Sequence, residues 1–262
     1  MRSVGFLSTI GGVDRGSVVR KKIDEAEARR LLGGAPVLLV TTHWQAVSNV
    51  TPIAWAMPVS TNPPLMAIAV HPSRHSHDMI SYGQGFAINV PARVLLNHTH
   101  WAGMVSGVAM DKLDVARLPH FRAKEIDAPL LEGCVGWIEC EVADTFTTGD
   151  HTLFIGKVVA AHVDTDAWDD ERKVWALDDE EYKPLHYLGG RSYAMLESVF
   201  DSEVEARSAE QMEEEGFGKE LEEAEEERRR KREEGEETRT EAEERGEIEA
   251  DPEPAPRMRP EA

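Results

Sequence analysis

The segment His71–Asp78 carries residue types that bind an anion. Arg74 supplies a planar guanidinium whose paired N–H groups match phosphate oxygens. Ser76 and His77 open a short helical pattern, and the free N–H groups and dipole at a helix N-terminus favour negative charge. The segment therefore predicts a phosphate site. The alternative is that Ser76 only caps the helix and Arg74 is a surface charge.

Polar residues also interrupt the apolar run Ser48–Ala56. Asn49 and Thr51 lie just before Pro52, which has no N–H to donate. Amide and hydroxyl groups on such a strand could hydrogen-bond the nitrogen and oxygen edges of a heterocycle. The alternative is the ordinary polar face of an edge strand.

Histidines offer less specific signals. His151 follows a predicted turn at Thr147–Asp150, so an exposed imidazole there could meet a ligand or could be an ordinary turn residue. His98 and His100 are two residues apart, and no third ligand at helical or strand spacing joins them, so we do not expect a metal site. No serine, cysteine or carboxylate pair indicates a nucleophile or an acid–base couple.

Short strands must position these residues. Apolar and β-branched runs predict strands at Val37–Thr42, Ser48–Ala56, Leu65–Val70, Phe86–Val90, Gly136–Phe146 and Leu153–Val163. The alternation around Glu139 and Glu141 predicts one apolar and one solvated face in the fifth strand. Helical patterns cover Ile23–Leu32, capped by Asp24, and Ser76–Tyr82. The predicted class is mainly β with helical insertions, and a barrel would avoid open sheet edges.

The charge distribution divides the chain. Residues 1–201 carry 25 acidic and 18 basic side chains, and residues 202–262 carry 24 acidic and 11 basic side chains. Together they give the net charge of −20. We predict a loose lead-in at 1–22, one domain at 23–200 and a disordered acidic tail at 201–262. The acidic balance argues against nucleic-acid binding.

Hydropathy and cysteine content indicate the compartment. The chain has no apolar run of 18 residues and no secretory signal pattern, so we expect a cytoplasmic protein that does not bind membranes. Cys134 and Cys140 are predicted to be reduced, partly buried thiols that share one face of a strand.

Several segments, taken in order, resemble the flavin reductase-like family, the FMN-binding split-barrel proteins that include flavoredoxin and the reductase components of two-component monooxygenases. The resemblance extends from about Ala35 to Leu196 and lies in SNVTPIAWAMPVSTNPPLMAIAVHPSRHSHDMI, FAINVP, GVAMDK, WIECEV, GDHTLFIGKVVAAHVD and LHYLGGRSY. It implies a six-stranded Greek-key split β-barrel, a homodimer, and FMN bound non-covalently near the dimer interface.

The resemblance also implies site residues. The side chains expected to line the isoalloxazine ring are Asn49, Thr51, Pro52, Ile53, Ala54 and Trp55. Those expected to hold the phosphate are Arg74, His75, Ser76 and His77. Those expected beside the flavin are Asn89, Val90, Pro91 and Lys112. His151, with Gly149 and Asp150, would face the nicotinamide or the substrate and is the expected catalytic residue.

The implied activity is transfer of a hydride from NADH or NADPH to FMN, with electrons then passed to oxygen, free flavin or a protein partner such as a monooxygenase. A lack of nucleophiles agrees with this, because in a flavoenzyme the cofactor performs the chemistry. Two alternatives remain: a flavoredoxin-type carrier reduced by another protein, and a split-barrel protein that binds flavin or haem without turnover. In a third, the acidic tail is the functional part, as a docking arm.

Overall fold

The computed structural model describes residues 21–200 and 229–230. The chain divides into two units, Met1–Val199 and Phe200–Ala262, and the described strands all belong to the first. In the second unit, the described pair Arg229 and Arg230 is helical. The predictions of a loose lead-in and of a disordered tail therefore fall almost wholly outside the described residues.

The fold is mainly β, as predicted. The strands are β1 (Ala35–Pro36), β2 (Leu38–Trp44), β3 (Val47–Ile53), β4 (Ala56–Thr61), β5 (Pro64–Val70), β6 (Gly85–Pro91), β7 (His120–Arg122), β8 (Pro129–Leu131), β9 (Cys134–Thr148), β10 (His151–Val163), β11 (Trp168–Asp169), β12 (Val174–Trp175), β13 (Leu185–Gly189) and β14 (Ser192–Met195).

Helices are short. The α-helices are α1 (His75–Gly83), α2 (Leu96–Met104) and α3 (Lys112–Val115), and 3₁₀ helices span Glu25–Leu32, Arg93–Leu95 and Thr165–Ala167. In the first 3₁₀ helix, Asp24 accepts the N–H of Ala26 at 2.8 Å, which confirms the predicted cap.

One antiparallel sheet of seven strands, in the order β3-β2-β6-β9-β10-β5-β4, forms the main body. The prediction of a single strand over Ser48–Ala56 is wrong: β3 ends at Ile53 and β4 begins at Ala56, at opposite edges of this sheet. The division gives seven strands where six were expected. Pro52 and Pro58 lie in these two edge strands, where a missing N–H costs least.

The sheet curls around the largest apolar cluster of the described residues. Ile53 from one edge strand and Ala56 from the other pack into the same cluster as Phe86 and Phe154, which are fully buried. Closure of this kind leaves fewer exposed strand edges.

A second sheet, β1-β13-β14, connects the two ends of the described domain. Ala35 pairs with Tyr187, and the Gly34 N–H donates to the Tyr187 carbonyl at 2.9 Å. Because the first 3₁₀ helix ends directly before Gly33, this pairing fixes that helix beside the β13–β14 hairpin.

The predicted solvated face of β9 is partly wrong. Glu139 is buried, and its carboxylate accepts the backbone N–H groups of Lys124 (3.1 Å) and Glu125 (2.7 Å). The irregular segment between β7 and β8 therefore covers this face, and buried hydrogen bonds replace the water that alternation alone would predict.

The two cysteines are free and buried, as predicted. Burial raises the pKa of the Cys140 thiol to about 12 and that of Cys134 further. The prediction that they share one face is wrong. A register shift between Val90 and Pro91 places Cys134 in a different apolar cluster from Cys140.

Across the described part of the chain, no helix is both long enough and apolar enough to span a membrane.

Candidate functional site

A cleft of about 730 Å³ opens beside the barrel, a volume typical of small-molecule sites. We name it the basic cleft. Its lining is Arg29, Thr51, Pro52, Ile53, Ala54, Trp55, Ala69, Val70, His71, Ser73, Arg74, His75, Ala102, Gly103, Met104, Val105, Ser106, Gly107, Lys112, His151 and Tyr187. Three of these described lining residues are Lys or Arg, and none is Asp or Glu.

Two strand ends form one side of the basic cleft. β3 stops at Ile53, and Ala54 and Trp55 carry the chain across to β4. β5 stops at Val70, and the loop that follows leads into α1. These are the segments that carry the predicted ring-binding and phosphate-binding residues. The structure brings Thr51 through Trp55 together with Arg74 and His75.

The start of α1 meets the basic cleft at Arg74 and His75. The helix begins at His75, and Arg74 at the cap position makes no side-chain cap hydrogen bond. The first N–H groups of a helix have no carbonyl partner within it. Ser76 is therefore not the cap. Its hydroxyl is fully buried and finds no hydrogen-bond partner among the described residues.

Asn49 is a second buried polar group without a partner. It is 2% exposed, and neither side-chain amide atom is hydrogen-bonded within the described residues. The loop of the cleft wall lies directly against it, because a Cβ at Gly107 would overlap both Asn49 Oδ1 and His75 Cδ2. Unpaired buried amides are costly, so the donors and acceptors at this end of the cleft suit a polar ligand.

Lys112 is a buried cation at the first position of α3. Its ammonium donates to the carbonyl oxygens of Val50 (3.0 Å) and Ala102 (2.8 Å). Burial, and then the nearby charge of Arg74, lower the pKa of Lys112 to about 8. An ammonium has three N–H donors, so one remains for a ligand in the basic cleft.

His151 lies at the first position of β10, on the cleft wall. Its Nδ1 is 2.6 Å from Asp150 Oδ1, and this hydrogen bond is the main reason that the pKa of the exposed Asp150 is lowered. The imidazole packs against Trp55 (4.8 Å between ring centroids) and edge-on to His71 (5.2 Å). The carboxylate and the two rings fix the orientation of the imidazole.

The structure does not bring Asn89, Val90 and Pro91 to the cleft. Asn89 Nδ2 donates to the Leu39 carbonyl at 2.8 Å, and its Oδ1 accepts the Leu131 N–H at 2.8 Å. Val90 belongs to the barrel core, and Pro91 is buried. The amide of Asn89 is occupied in joining β2, β6 and β8, and the contact of this strand end with a flavin stays a prediction.

His77 also lies away from the cleft lining. Its Nε2 is hydrogen-bonded to Thr152 Oγ1 at 2.9 Å, and its ring contacts Phe154 with centroids 5.3 Å apart. The side chain therefore fixes α1 against β10, and of the phosphate residues predicted in α1 only His75 lines the cleft directly.

The lining also contains residues to which the sequence patterns gave no site role: Arg29, Ala69, Val70, Tyr187 and the stretch 102–107. His71 belongs to the predicted anion-binding segment, and it lines the cleft. Arg29 and Tyr187 are far apart in sequence, and only the β1–β13 pairing brings them to one wall. His98 and His100 form no metal cluster with other described residues; His100 Nδ1 is hydrogen-bonded to the Tyr193 hydroxyl at 3.1 Å.

Curated proteins similar to this chain are about 30% identical to it over the aligned residues. The uncharacterized protein YddH of Escherichia coli (strain K12) is 31% identical over 175 residues, which is 65% of this chain and 92% of that protein. The NADH-dependent FAD reductase of Streptomyces globisporus is 29% identical over 53% of this chain and 76% of that protein.

Solved structures share the fold. The FMN-binding protein from Thermus thermophilus superposes with a TM-score of 0.60 at 25% identity, over 72% of this chain and 99% of that one. The flavoredoxin of Desulfovibrio vulgaris (Miyazaki F) gives a TM-score of 0.59 at 22% identity, over 73% and 98%. The family model described as "Flavin reductase like domain" matches residues 32–195. The split-barrel chain with the basic cleft therefore belongs to the flavin reductase-like family.

Proposed function

We propose that this protein is an FMN-binding oxidoreductase that takes a hydride from NADH or NADPH and delivers the electrons to an acceptor. The observation that carries the proposal is the basic cleft. In a chain with a net charge of −20, it gathers three cations, excludes carboxylates from its described lining and lies over buried polar groups without partners. Family membership and the flavin named in the Streptomyces and Thermus relatives support the same assignment.

The residues at the α1 end suit a flavin phosphate. Arg74 offers a guanidinium fork, and the first N–H groups of α1 with the buried Ser76 hydroxyl add donors. The stretch from Thr51 to Trp55 offers a mixed apolar and polar wall for the ring, and the amide of Asn49 offers both a donor and an acceptor. Bound FMN would supply the hydride and electron chemistry that no side chain here provides.

The remaining residues would orient the flavin and tune its reactivity. Lys112 holds a positive charge in a buried position, where a charge acts more strongly than it does in water. His151, held by Asp150, can give or take a proton at Nε2. Trp55 and His71 pack around that imidazole and limit the access of water.

A carrier function is the second candidate. The observation that favours it is the fold shared with flavoredoxin, over nearly the whole length of that protein. In this case another protein would reduce the flavin, and nucleotide would not. A protein that binds flavin or haem without turnover is a third candidate. The acceptor for a reductase would be oxygen, free flavin or a monooxygenase component.

We also propose that the protein is a cytoplasmic homodimer. The edge strand β4 exposes Met57 (56%) and Val59 (42%) on either side of Pro58. Exposed apolar side chains of this kind suit an interface with another chain. Light scattering should give twice the chain mass for the natural protein, and Met57→Glu should shift it toward the monomer. A natural protein that is monomeric at micromolar concentration would contradict the dimer.

An anaerobic titration distinguishes these candidates. The FMN-loaded protein is mixed with NADH or NADPH, and its flavin absorbance is followed. Rapid bleaching by one nucleotide supports the reductase and identifies the donor, whereas bands that persist until a reduced protein partner is added support the carrier.

A further inference from the structure

Arg29 is a cation that an FMN phosphate does not require. Arg74 and Lys112 are close enough for Arg74 to lower the Lys112 pKa, and Arg74 adjoins the start of α1. The α1 end therefore already has a fork, a second cation and helix N–H groups for one phosphate. Arg29 comes from a different part of the domain, the 3₁₀ helix Glu25–Leu32.

The side chain of Arg29 is available for a ligand. It is exposed, it lines the basic cleft, and it forms no ion pair with a described carboxylate. Its neighbour Arg30 differs, because it is paired with Glu27. The helix dipole favours arginines near a helix C-terminus. The dipole does not explain why Arg29 lines a cleft that has no acidic residue in its described lining.

Tyr187 lines the same cleft and is fixed beside this helix. The Gly34 N–H donates to the Tyr187 carbonyl (2.9 Å), and the Gly34 carbonyl is hydrogen-bonded to the imidazole of His186 (2.6 Å). The Tyr187 ring packs against Tyr193 with centroids 5.4 Å apart, and the Tyr193 hydroxyl is bonded to His100 of α2. The C-terminal end of α2 is itself part of the cleft lining, so the wall is supported from two sides.

An available guanidinium with a supported aromatic ring suits a ligand that carries both phosphate and a flat base. A pyridine dinucleotide has this chemistry: a pyrophosphate, an adenine and, in the phosphorylated form, a further phosphate. Arginine is suited to bidentate phosphate contacts, and a tyrosine face is suited to base stacking.

We propose that Arg29 and Tyr187 form a subsite for the phosphate and adenine portion of the nucleotide donor, distinct from the residues that hold FMN. This inference rests on the proposed function, since it requires FMN in the same cleft. Arg29 is then a specificity-determining residue for the nucleotide and does not contribute to flavin binding.

The test is calorimetric and does not depend on turnover. Full-length, FMN-loaded protein is titrated with NAD⁺, NADP⁺ and nicotinamide mononucleotide, which do not react with oxidised flavin. Natural protein is compared with Arg29→Gln and with the matched control Arg30→Gln. FMN affinity is measured separately by fluorescence quenching.

Arg29→Gln should weaken the two dinucleotides by about tenfold and leave the FMN affinity unchanged, because one charge-assisted hydrogen bond is lost. Equal losses for NAD⁺ and NADP⁺ assign Arg29 to the pyrophosphate, and a loss confined to NADP⁺ assigns it to the extra phosphate. The affinity for the mononucleotide should decrease less than the affinity for the dinucleotides. Arg30→Gln should bind all three nucleotides as tightly as the natural protein does.

Unchanged dinucleotide affinity in Arg29→Gln would overturn the subsite, as would an equal loss of FMN affinity, which would make Arg29 part of the flavin site. FMN-loaded natural protein that binds no dinucleotide would overturn it as well. Failure of the natural protein to bind FMN at all is a different result, and it would refute the proposed function itself.

Discussion

Lys112 places a positive charge in a buried part of the site. The charge favours an anionic ligand, whereas burial opposes the charged form of the side chain. The side chain is 4% exposed, and desolvation disfavours its charged form. Two backbone carbonyls compensate part of that cost. The pKa of the group is therefore about 8, so the attraction of Lys112 for an anionic ligand depends on pH just above neutrality.

We expect FMN affinity to decrease as pH rises through the Lys112 pKa of about 8. The cationic form prevails below that pH, so binding is strongest there, and the dissociation constant should rise on the order of tenfold between about pH 7 and pH 9. Fluorescence titration across this range measures the change.

Lys112→Met should bind FMN more weakly at neutral pH and lose most of this pH dependence. Lys157→Met is the matched control, since Lys157 is exposed on β10 and lies outside the cleft lining. A Lys112→Met protein with the same pH profile as the natural protein would rule out this role for Lys112.

At the scale of elements, β10 must lie close to its neighbours for the barrel to close. Gly156 lies at a register shift between β10 and β9. A Cβ there would lie 2.5 Å from Phe86 Cζ and 2.7 Å from Cys140 Cβ, both fully buried. The β-bulge and the missing side chain together make room for the Phe86 ring in the core.

Gly156→Ala should therefore destabilise the domain by roughly 1–3 kcal/mol, the usual cost of overpacking a core. Chemical denaturation measures this change. Gly85→Ala is the control, because a Cβ at that site meets only ordinary contacts from 3.6 Å outward. Equal stability of the two variants would contradict the packing described for β10.

Sequence patterns predicted most strands because β-branched runs are local signals. These patterns failed where long-range pairing determines the bounds of a strand. Nothing within Ser48–Ala56 shows that the chain leaves one sheet edge at Ile53 and joins the other at Ala56. Glu139 was misjudged for the same reason, since the β7–β8 segment covers it.

Contacts between remote parts of the chain also limited the prediction of the site. Residues on strand ends near α1 were predicted, because a cation beside a helix start is a local pattern. Asn89 matched the family motif, and only the structure shows that its amide is occupied within the barrel. Arg29 carries no local signal of any role, because a remote strand pairing places it in the cleft.

For the whole molecule, the net charge is strongly negative although the cleft lining is basic. Charges of like sign repel an anionic ligand at long range, whereas the cleft attracts it at short range. Residues 202–262 carry 24 acidic and 11 basic side chains, so they contribute most of the net charge of −20.

Deleting residues 202–262 should therefore raise the rate of FMN association by roughly two- to fivefold at low ionic strength. The difference should vanish in about 0.5 M salt, where screening extends over only a few ångströms. Stopped-flow fluorescence at the two salt concentrations measures it. A deletion that changes association equally at both would show that long-range charge is not the cause. Loss of a protein partner on deletion would instead support a docking role for the tail.

Flavin binding in the basic cleft can be tested by an absorbance spectrum. The purified full-length protein is incubated with FMN, passed through a desalting column, and then mixed anaerobically with NADH or NADPH. We expect flavin bands that remain with the protein after the column and bleach when one nucleotide is added. A protein that leaves the column without flavin bands would contradict the claim that the basic cleft is a flavin site.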